Sequence, residues 1–459
     1  MNKTIEILSL HPIDCRGVDC RIASSLQSTI GLQKTVKLLT TDYVALCLTP
    51  DQISVNVDSL NRMMYVAEET GAAMLYSNFN EVKEGVVTPH RLIAYQDGSL
   101  RDDFDFGGLV LYRTDAMTEA VERMVDEYEY AALYDLRLKV SERHSIYHLP
   151  ELLYTKYETD LRLSGRKQFD YVDPKNRKVQ IEMESVCTEH LKNIGAYISP
   201  QSAKSCDVSG FFPVEASVVI PVFNRAITIA DAINSALSQD TRFEFNVIVV
   251  DNHSNDGTGG IIDEIAKNDR RVVHIVPSRT DLGIGGCWNE AIKSSKCGRF
   301  AVQLDSDDLY INKDTLQTIV DLFRKEECAM VIGSYKLVNF SLEELPPGII
   351  DHSEWTDSNG RNNALRINGL GAPRAFFTDL LRKYPFPNVS YGEDYAAGLR
   401  MSREYKIGRI YDPIYLCRRW KGNTDAMLSQ ERLNANNYYK DSIRTIELKA
   451  RIKSISTND

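Results

Sequence analysis

Phe300-Ala301-Val302-Gln303-Leu304, followed at once by Asp305-Ser306-Asp307-Asp308, is the most informative stretch of this chain. The apolar run predicts a buried parallel strand, and open α/β sheets bind ligands at the carboxyl ends of such strands. Three carboxylates at one strand end repel one another unless a cation or hydrogen bonds offset their charge. Mg²⁺ and Mn²⁺ are commonly held by one or two carboxylates plus substrate phosphates. The stretch therefore suggests a divalent-metal site for a diphosphate-bearing substrate. The alternative is an acidic turn in which Asp308 or a neighbour caps a helix over 313–323.

The sequence around this strand alternates apolar runs with segments of helical spacing. Strands are predicted at 216–221, 245–250 and 272–276, and helices at 228–237, 259–267 and 286–295. Strands that alternate with helices form right-handed βαβ units, which predicts a mostly parallel sheet.

The first half of the chain repeats the later part of this pattern. Residues 43–48 match 299–304 at an offset of 256, and Thr114-Asp115 matches Thr378-Asp379 at an offset of 264. Further matches follow in the same order with little drift, which predicts an internal repeat. The alternative is an unrelated domain with coincidental matches.

The first copy lacks most of the chemistry of the second. Thr49-Pro50-Asp51-Gln52 stands where the second copy has Asp305 to Asp308, so two of the three acids are absent. Roughly 40 residues precede the strand in the first copy, too few for two or three βα units. We therefore predict a shortened, non-catalytic first copy that serves as a scaffold, a partner surface or an acceptor-side module.

Composition describes a globular protein of two domains or one large one. The chain has 459 residues and a net charge of −10, which argues against a general nucleic-acid-binding protein. It shows no apolar run long enough to span a bilayer and no signal-peptide pattern at the start. The nine scattered cysteines favour free thiols in a reducing cytoplasm. Peripheral membrane association and the oligomeric state stay open.

Five further segments place polar residues at predicted strand ends or helix starts. They are Ser217–Arg225, Val249–Thr258, Asp281–Asn289, Tyr391–Asp394 and Arg418–Trp420. A strand that ends in Pro and a polar turn exposes backbone groups to a base and ribose, and glycines at a helix start allow phosphate to approach. Each segment taken alone also has a structural interpretation, as a strand end, a turn, a helix start or a solubilising strand edge.

In this order, and with the stretch 300–308 among them, the segments resemble the family 2 glycosyltransferases of GT-A fold over about residues 214–425. Members of that family transfer a sugar from a nucleotide-diphosphate donor, usually with inversion. The resemblance implies a Rossmann-like, mostly parallel GT-A catalytic domain, preceded here by a shortened, degenerate GT-A-like domain.

The resemblance also implies roles for nine residues. Asp251 would recognise the base, and nucleotide binding is implied for Pro221, Phe223, Arg225, Asn289 and Arg419. Asp305 would contact the ribose or the metal, and Asp307 would bind Mn²⁺ or Mg²⁺. Asp394 would remove the proton of the acceptor hydroxyl.

The chain departs from the family pattern at several positions. Asn252 stands where a second acid is common, Asp281 where Asn is typical, and Trp288 where a basic residue is expected nearby. Leu416 replaces the glutamine of a motif that processive polysaccharide synthases carry, so a processive membrane synthase is not expected. No histidine follows His352, so a late histidine metal ligand is not available.

The sequence thus predicts a degenerate domain at 1–165, a helical linker at 166–212, a catalytic domain at 213–425 and a helical tail at 426–459. The predicted activity is metal-dependent, inverting transfer from a nucleotide-sugar donor, with a UDP-sugar favoured. The acceptor is a saccharide or other hydroxyl compound in glycan or polysaccharide biosynthesis. The alternatives are a non-catalytic nucleotide-sugar or carbohydrate-binding protein and a sugar-phosphate nucleotidyltransferase.

Overall fold

The computed structural model describes residues 3–10, 13, 15, 18–23, 25–47, 49, 51–157, 176–420, 422–423 and 428–456. The chain divides into two structural units, residues 1–197 with 427–459, and residues 198–426. The C-terminal helix, which the sequence predicts only as a tail, is therefore part of the first unit. The helix predicted inside the linker also belongs to that unit.

The first unit is built on an eight-stranded mixed sheet. Its strands are β1 (Ile5–Ser9), β2 (Asp19–Ile22), β3 (Tyr43–Cys47), β4 (Gln52–Val55), β5 (Met74–Lys83), β6 (Val86–His90), β7 (Leu109–Arg113) and β8 (Ile146–Tyr157). Its helices before the second unit are α1 (Thr29–Val36), α2 (Val57–Thr70), α3 (Thr114–Glu122), α4 (Ala132–Ser141) and α5 (Arg177–Asn193). The central strand β3 is buried along its whole length, as an unbroken apolar run predicts.

The second unit is built on a nine-stranded sheet. Its strands are β9 (Ala216–Val222), β10 (Phe245–Asp251), β11 (Val272–Ile275), β12 (Phe300–Gln303), β13 (Leu309–Tyr310), β14 (Met330–Asn339), β15 (Glu344–Ile350), β16 (Arg374–Phe377) and β17 (Ile407–Arg419). Its helices are α6 (Ile229–Leu237), α7 (Thr258–Asn268), α8 (Ile284–Lys293), α9 (Thr315–Glu326), α10 (Gly360–Asn363), α11 (Thr378–Lys383) and α12 (Glu393–Ser402).

The second sheet is parallel on one side and mixed on the other. Strands β11, β10, β9 and β12 lie side by side and parallel, as the βαβ pattern predicts. Beyond β12 the order continues β16, β14, β17, β13, with antiparallel pairing at β12/β16, β16/β14 and β17/β13. The α/β fold predicted from the sequence is confirmed. The alternation of strands and helices did not predict the antiparallel pairs in the mixed half.

The two sheets share one topology. The parallel pairs β1/β2, β1/β3 and β5/β8 correspond to β9/β10, β9/β12 and β14/β17. The antiparallel pairs β3/β7, β5/β7, β5/β6 and β4/β8 correspond to β12/β16, β14/β16, β14/β15 and β13/β17. Within the described residues the first unit has no counterpart of β11, α6 or α7. It is therefore a shortened copy of the second, as the repeat predicts.

A long helix, α13 (Gln430–Ser456), completes the first unit. Its Asp441 carboxylate accepts hydrogen bonds from Ser99 Oγ at 3.0 Å and from Arg101 Nε at 3.3 Å. Gly98 lies directly against the helix backbone and donates its N–H to Thr445 Oγ1 at 2.9 Å. Buried polar contacts, rather than an apolar stripe alone, thus hold α13 on the loop that precedes β7. Among the described residues, no helix combines the length and the apolar character needed to cross a bilayer.

Candidate functional site

The acidic turn lies at the carboxyl end of β12, where the parallel half of the sheet meets the mixed half. Asp305 donates its backbone N–H to Tyr415 Oη at 2.9 Å, and its Oδ1 accepts from Gln303 Nε2, also at 2.9 Å. Asp308 closes the turn, because its N–H donates to the Asp305 carbonyl at 3.1 Å. Side chains from β12 and β17 therefore fix the conformation of the turn.

Asp308 does not cap the following helix. Helix α9 begins at Thr315, and the residue before it makes no side-chain cap hydrogen bond. The Asp308 carboxylate is buried and accepts the backbone N–H of Arg418 at 2.8 Å, which joins the turn to β17. The helix-cap alternative for Asp308 is therefore wrong.

Asp307 is surrounded by hydrogen-bond donors from the segment after β17. Its Oδ2 accepts from Trp420 Nε1 at 3.0 Å and from Asn423 Nδ2 at 3.2 Å. Arg225 Nε lies 4.0 Å from the same oxygen, and this buried nitrogen has no hydrogen-bond partner among the described residues. Arg225, which the resemblance selects for nucleotide binding, thus lies beside the acid that it selects for metal binding.

The electrostatics of the turn fit a bound divalent cation. Burial raises the pKa of Asp305, although Arg374 and Gln303 act against this shift, and the charge of Asp307 adds to it. Burial and the charges of Asp305 and Asp307 raise the pKa of Asp308 well above its usual range. The protein's own cations therefore leave negative charge uncompensated here, the condition that a bound metal relieves. Among the described residues no three Asp, Glu, His or Cys side chains are grouped so that they could hold a metal ion by themselves.

The candidate base lies at the start of α12. Gly392 precedes the helix with a φ of 80°, in the left-handed region that glycine adopts readily. Asp394 Oδ1 accepts the N–H of Tyr395 at 2.7 Å, and its Oδ2 forms an ion pair with Arg374 Nη2 at 2.9 Å. Both acids lie in the first helical turn, so the favourable interaction with the helix dipole coexists with the proposed catalytic role.

Glu393 is more deeply buried than its neighbour, at 9% exposed against 27% for the Asp394 side chain. Burial, together with the adjacent Asp394 charge, raises the pKa of Glu393 to about 8. Its buried Oε2 has no hydrogen-bond partner in the described part of the chain. At neutral pH Glu393 therefore carries a proton, while its neighbour is paired with an arginine.

The candidate nucleotide-binding residues surround the ends of β9 and β10. Pro221 pairs with Val250 in the sheet, and Phe223 follows β9 with 54% of its surface exposed. Asp251 is buried at the end of β10, and its Oδ1 accepts the N–H of Ser254 at 2.9 Å. His274 Nε2 lies 3.7 Å from Asp251 Oδ2, so this carboxylate is largely enclosed by protein.

Asn252, which the sequence treats as a departure from the family pattern, carries the more available acceptor. Its Nδ2 donates to the Leu282 carbonyl at 2.9 Å, which fixes the orientation of the amide. Its Oδ1 is buried and has no partner among the described residues. Such an oxygen gains energy from a ligand N–H, because a buried acceptor without a partner is costly.

The glycines of 281–289 accommodate protein rather than an open phosphate site. A Cβ on Gly285 would lie 2.0 Å from the Pro387 carbonyl oxygen, and one on Gly283 would lie 2.5 Å from the carbonyl carbon of Val389. Asn289 donates its Nδ2 to the Phe386 carbonyl at 2.8 Å and accepts the Phe386 N–H at 3.0 Å. The Asn289 amide is thus already used to hold the segment 386–389, and its role in nucleotide binding stays a prediction.

Several site residues could not be found from the sequence. Arg419 ends β17 opposite Asn339, and its role in nucleotide binding stays a prediction. Trp420 and Asn423 follow Arg419 in the chain and donate hydrogen bonds to Asp307. Of these two residues, only Trp420 lies in a segment that the sequence analysis selected. Arg374, at the start of β16, lies in no segment that the sequence analysis selected. Its position beside Asp394 depends on the order of the strands in the sheet, which the sequence does not reveal locally.

The first unit contains a different arrangement at the matching place. Asp51 accepts from Thr49 Oγ1 at 3.0 Å, and Lys156 Nζ lies 3.7 Å from the Asp51 carboxylate and 3.6 Å from Glu81. A lysine ammonium thus neutralises these acids. This arrangement differs from the second unit, where burial leaves the acidic turn undercompensated.

Comparison with known proteins finds similarity to glycosyltransferases. The model of Glycosyl transferase family 2 matches residues 217–390. The chain is 26% identical over 223 residues to the UDP-Glc:alpha-D-GlcNAc-diphosphoundecaprenol beta-1,3-glucosyltransferase WfgD of Escherichia coli, covering 48% of this chain and 80% of that one. It is 32% identical over 127 residues to the poly(ribitol-phosphate) beta-N-acetylglucosaminyltransferase TarS of Staphylococcus aureus (strain Mu50), covering 27% of this chain and 21% of that one. The chain thus spans only about a fifth of the length of this second relative. A crystal structure of S. aureus TarS residues 1–349 with UDP-GlcNAc overlaps with a TM-score of 0.39 at 23% identity, covering 52% of this chain and 73% of that one.

Proposed function

Residues 217–390 of this chain are a family 2 glycosyltransferase domain, and from that premise we propose that the protein transfers a sugar from a UDP-sugar to a hydroxyl acceptor in polysaccharide biosynthesis. The observation that carries the proposal is the arrangement of Asp305, Asp307 and Asp394. The first two form an acidic turn with uncompensated charge, and the third is a carboxylate that Arg374 connects to that turn. A donor diphosphate and an acceptor hydroxyl need such groups on either side of the reacting carbon.

Asp305 and Asp307 are the residues that would hold Mn²⁺ or Mg²⁺ together with the donor phosphates. A divalent cation bound there would supply positive charge to the leaving diphosphate. Arg225 lies beside Asp307 with a free buried N–H, and would donate to a phosphate oxygen. Arg419 follows in β17 and would add a second cationic group.

The base of the donor is proposed to be uracil. The Asn252 Oδ1 acceptor fits the N3–H donor of uracil, and cytosine presents a lone pair at the corresponding ring nitrogen. Asp251, enclosed by Ser254 and His274, would support the loop beside the base, and Pro221 and Phe223 would border the ribose. The names of WfgD and of the TarS complex specify UDP-sugars, which supports the same choice.

The chemistry is proposed to be a single inverting displacement. The acceptor oxygen forms a bond to the anomeric carbon as the bond from that carbon to the diphosphate oxygen breaks. UDP leaves with the electron pair, and Asp394 takes the proton of the acceptor hydroxyl. The acceptor is proposed to be a hydroxyl group on a larger carrier molecule, because the names of the relatives specify alpha-D-GlcNAc-diphosphoundecaprenol and poly(ribitol-phosphate).

The test measures UDP binding by calorimetry with and without Mn²⁺, and UDP release from UDP-glucose and UDP-GlcNAc. We expect metal-dependent binding and slow release with water as acceptor. Asp307→Ala should abolish metal-dependent binding, and Asp394→Asn should keep binding and lower release about 100-fold. Binding of UDP without any release from either donor would favour the non-catalytic alternative, and absence of UDP binding would contradict both.

A further inference from the structure

Arg374 is the cation that connects the two halves of the candidate site. Its Nη2 lies 2.9 Å from Asp394 Oδ2, and its Nη1 donates to the Gly371 carbonyl at 2.5 Å. Its backbone N–H donates to Gln303 Oε1 at 3.1 Å, and the same Gln303 amide donates to Asp305 Oδ1 at 2.9 Å. A continuous path of hydrogen bonds and one ion pair thus runs from the acidic turn to the candidate base.

The surroundings of Arg374 explain why a cation is retained there. Only 17% of its side chain is exposed, and its charge is balanced by Asp394 and Asp305. Burying a guanidinium is costly unless it is paired and hydrogen-bonded. The guanidinium fork can satisfy a carboxylate and a carbonyl at once, which an ammonium cannot do with the same geometry. The position therefore suits arginine in particular.

We infer that Arg374 is a positioning residue that orients Asp394 for removal of the acceptor proton and holds it at a fixed distance from the donor. The inference rests on the proposed function and assigns to Arg374 no contact with the donor. Among the described residues, Asp394 also accepts the N–H of Tyr395, which lies on its own helix. Arg374 instead ties it to β16, a neighbour of the strand that precedes the acidic turn.

This role predicts that replacing Arg374 lowers the rate of UDP release without weakening UDP binding. Arg374→Met removes the support of Asp394 and leaves Asp305, Asp307 and Arg225 in place. UDP should therefore bind with Mn²⁺ within about threefold of the wild-type affinity, and UDP release should fall about 100-fold, the cost of a misplaced catalytic group. Arg374→Lys retains the charge without the fork, and should recover only part of the loss.

A double-mutant cycle distinguishes positioning from general structural support. If Arg374 acts through Asp394, the variant with both Arg374→Met and Asp394→Asn should release UDP no more slowly than Asp394→Asn alone. Arg299→Met is the matched control. Arg299 is similarly buried, at 20% exposed, and forms an ion pair with Glu215 at the opposite end of β12. This control should release UDP at the wild-type rate.

Four results would overturn the inference. They are release by Arg374→Met within threefold of wild type, equal losses in the Arg299→Met control, additive losses in the double variant, and a loss of UDP affinity as large as the loss of release. Circular dichroism and thermal melting verify folding. If Arg374→Met does not fold, the same double-mutant cycle is measured with Arg374→Lys in its place, and the same results overturn the inference. Failure of wild-type protein to bind UDP or release it would instead contradict the proposed function.

Discussion

At the scale of single residues, two adjacent carboxyl groups of the site lie in different environments. Glu393 and Asp394 are adjacent, yet Asp394 faces Arg374 and the Tyr395 N–H, whereas Glu393 is buried beside another acid. Desolvation disfavours the charged form of a carboxyl group, which raises the pKa of Glu393. Environment rather than residue type therefore divides their roles.

The raised pKa of Glu393 predicts how stability depends on pH. The unfolded chain ionises this group near its usual value of 4.5, whereas the folded chain keeps the proton up to about 8. The unfolded state is therefore favoured increasingly as pH rises from 4.5 to 8, and the folded state loses stability over that interval. Glu393→Gln removes this dependence. Relative to wild type it should gain about 2–4 kcal/mol in free energy of unfolding between pH 5 and pH 8, measured by urea titration without metal. An equal difference between the two proteins at both pH values would contradict the pKa assignment.

The free acceptor of Asn252 predicts base selectivity. Wild-type protein should bind UDP at least about tenfold more tightly than CDP, because only uracil satisfies the buried Oδ1. Asn252→Leu should weaken UDP binding and reduce the preference, as measured by calorimetry with Mn²⁺. Asn268→Leu is the control, since that amide donates only to the Glu264 carbonyl in α7. An unchanged preference in Asn252→Leu would show that another group distinguishes the bases.

At the scale of elements, the loop that precedes β7 is shaped by contact with α13. A Cβ on Gly98 would lie 2.2 Å from the Thr445 nitrogen and 2.3 Å from the Asp441 carbonyl oxygen, both backbone atoms of the helix. Gly98→Ala should therefore displace α13 and lower the free energy of unfolding by about 1–3 kcal/mol. Hydrogen exchange should increase in the amides of α13, and thermal melting gives the stability.

The matched control for this prediction is Gly260→Ala in α7. Nothing lies within 4 Å of the Cβ that it would add. Alanine should be neutral there or should raise stability by up to about 1 kcal/mol. If both variants behave alike, the close approach of Gly98 to α13 does not contribute to stability.

Sequence predicted the elements whose signals are local. The predicted strands and helices of 216–304 agree with β9 to β12 and α6 to α8 to within a few residues, because unbroken apolar runs and helical spacing repeat over short distances. The strand Ile407–Arg419 was missed, since it is only partly buried and contains Gly408 and Pro413.

In the candidate site, too, the sequence predicted residues whose signal is local and missed residues whose position depends on distant parts of the chain. Asp305, Asp307 and Asp394 were found because each lies in a short recognisable segment. Arg374 was missed because β16 comes late in the chain but pairs with β12 in the sheet. Asn252 was taken for a departure from the pattern, because the orphaned Oδ1 depends on a hydrogen bond to Leu282, 30 residues away. Sequence therefore predicts the acids that lie in short recognisable segments and misses the groups that orient them across the sheet.

At the scale of the whole molecule, two sheets of one topology differ in how their acids are neutralised. In the first unit Lys156 lies between Asp51 and Glu81, so the cation is part of the chain. In the second unit the raised pKa values of Asp305 and Asp308 indicate charge that the chain does not offset. Two sheets of one topology can thus differ in whether the chain itself supplies the cation that neutralises their acids.

This contrast predicts a single metal and donor site per chain. Asp51→Ala should leave UDP release at the wild-type rate, although it removes one partner of Lys156, whereas the corresponding change Asp307→Ala should abolish release. Calorimetry of UDP with Mn²⁺ should give a stoichiometry near one for wild type and for Asp51→Ala, because the Lys156 ammonium already occupies the neighbourhood of the first-unit acids. Thermal melting ensures that the comparison is between folded proteins. A stoichiometry near two, or a loss of release in Asp51→Ala as large as in Asp307→Ala, would show that the first unit retains chemistry of its own.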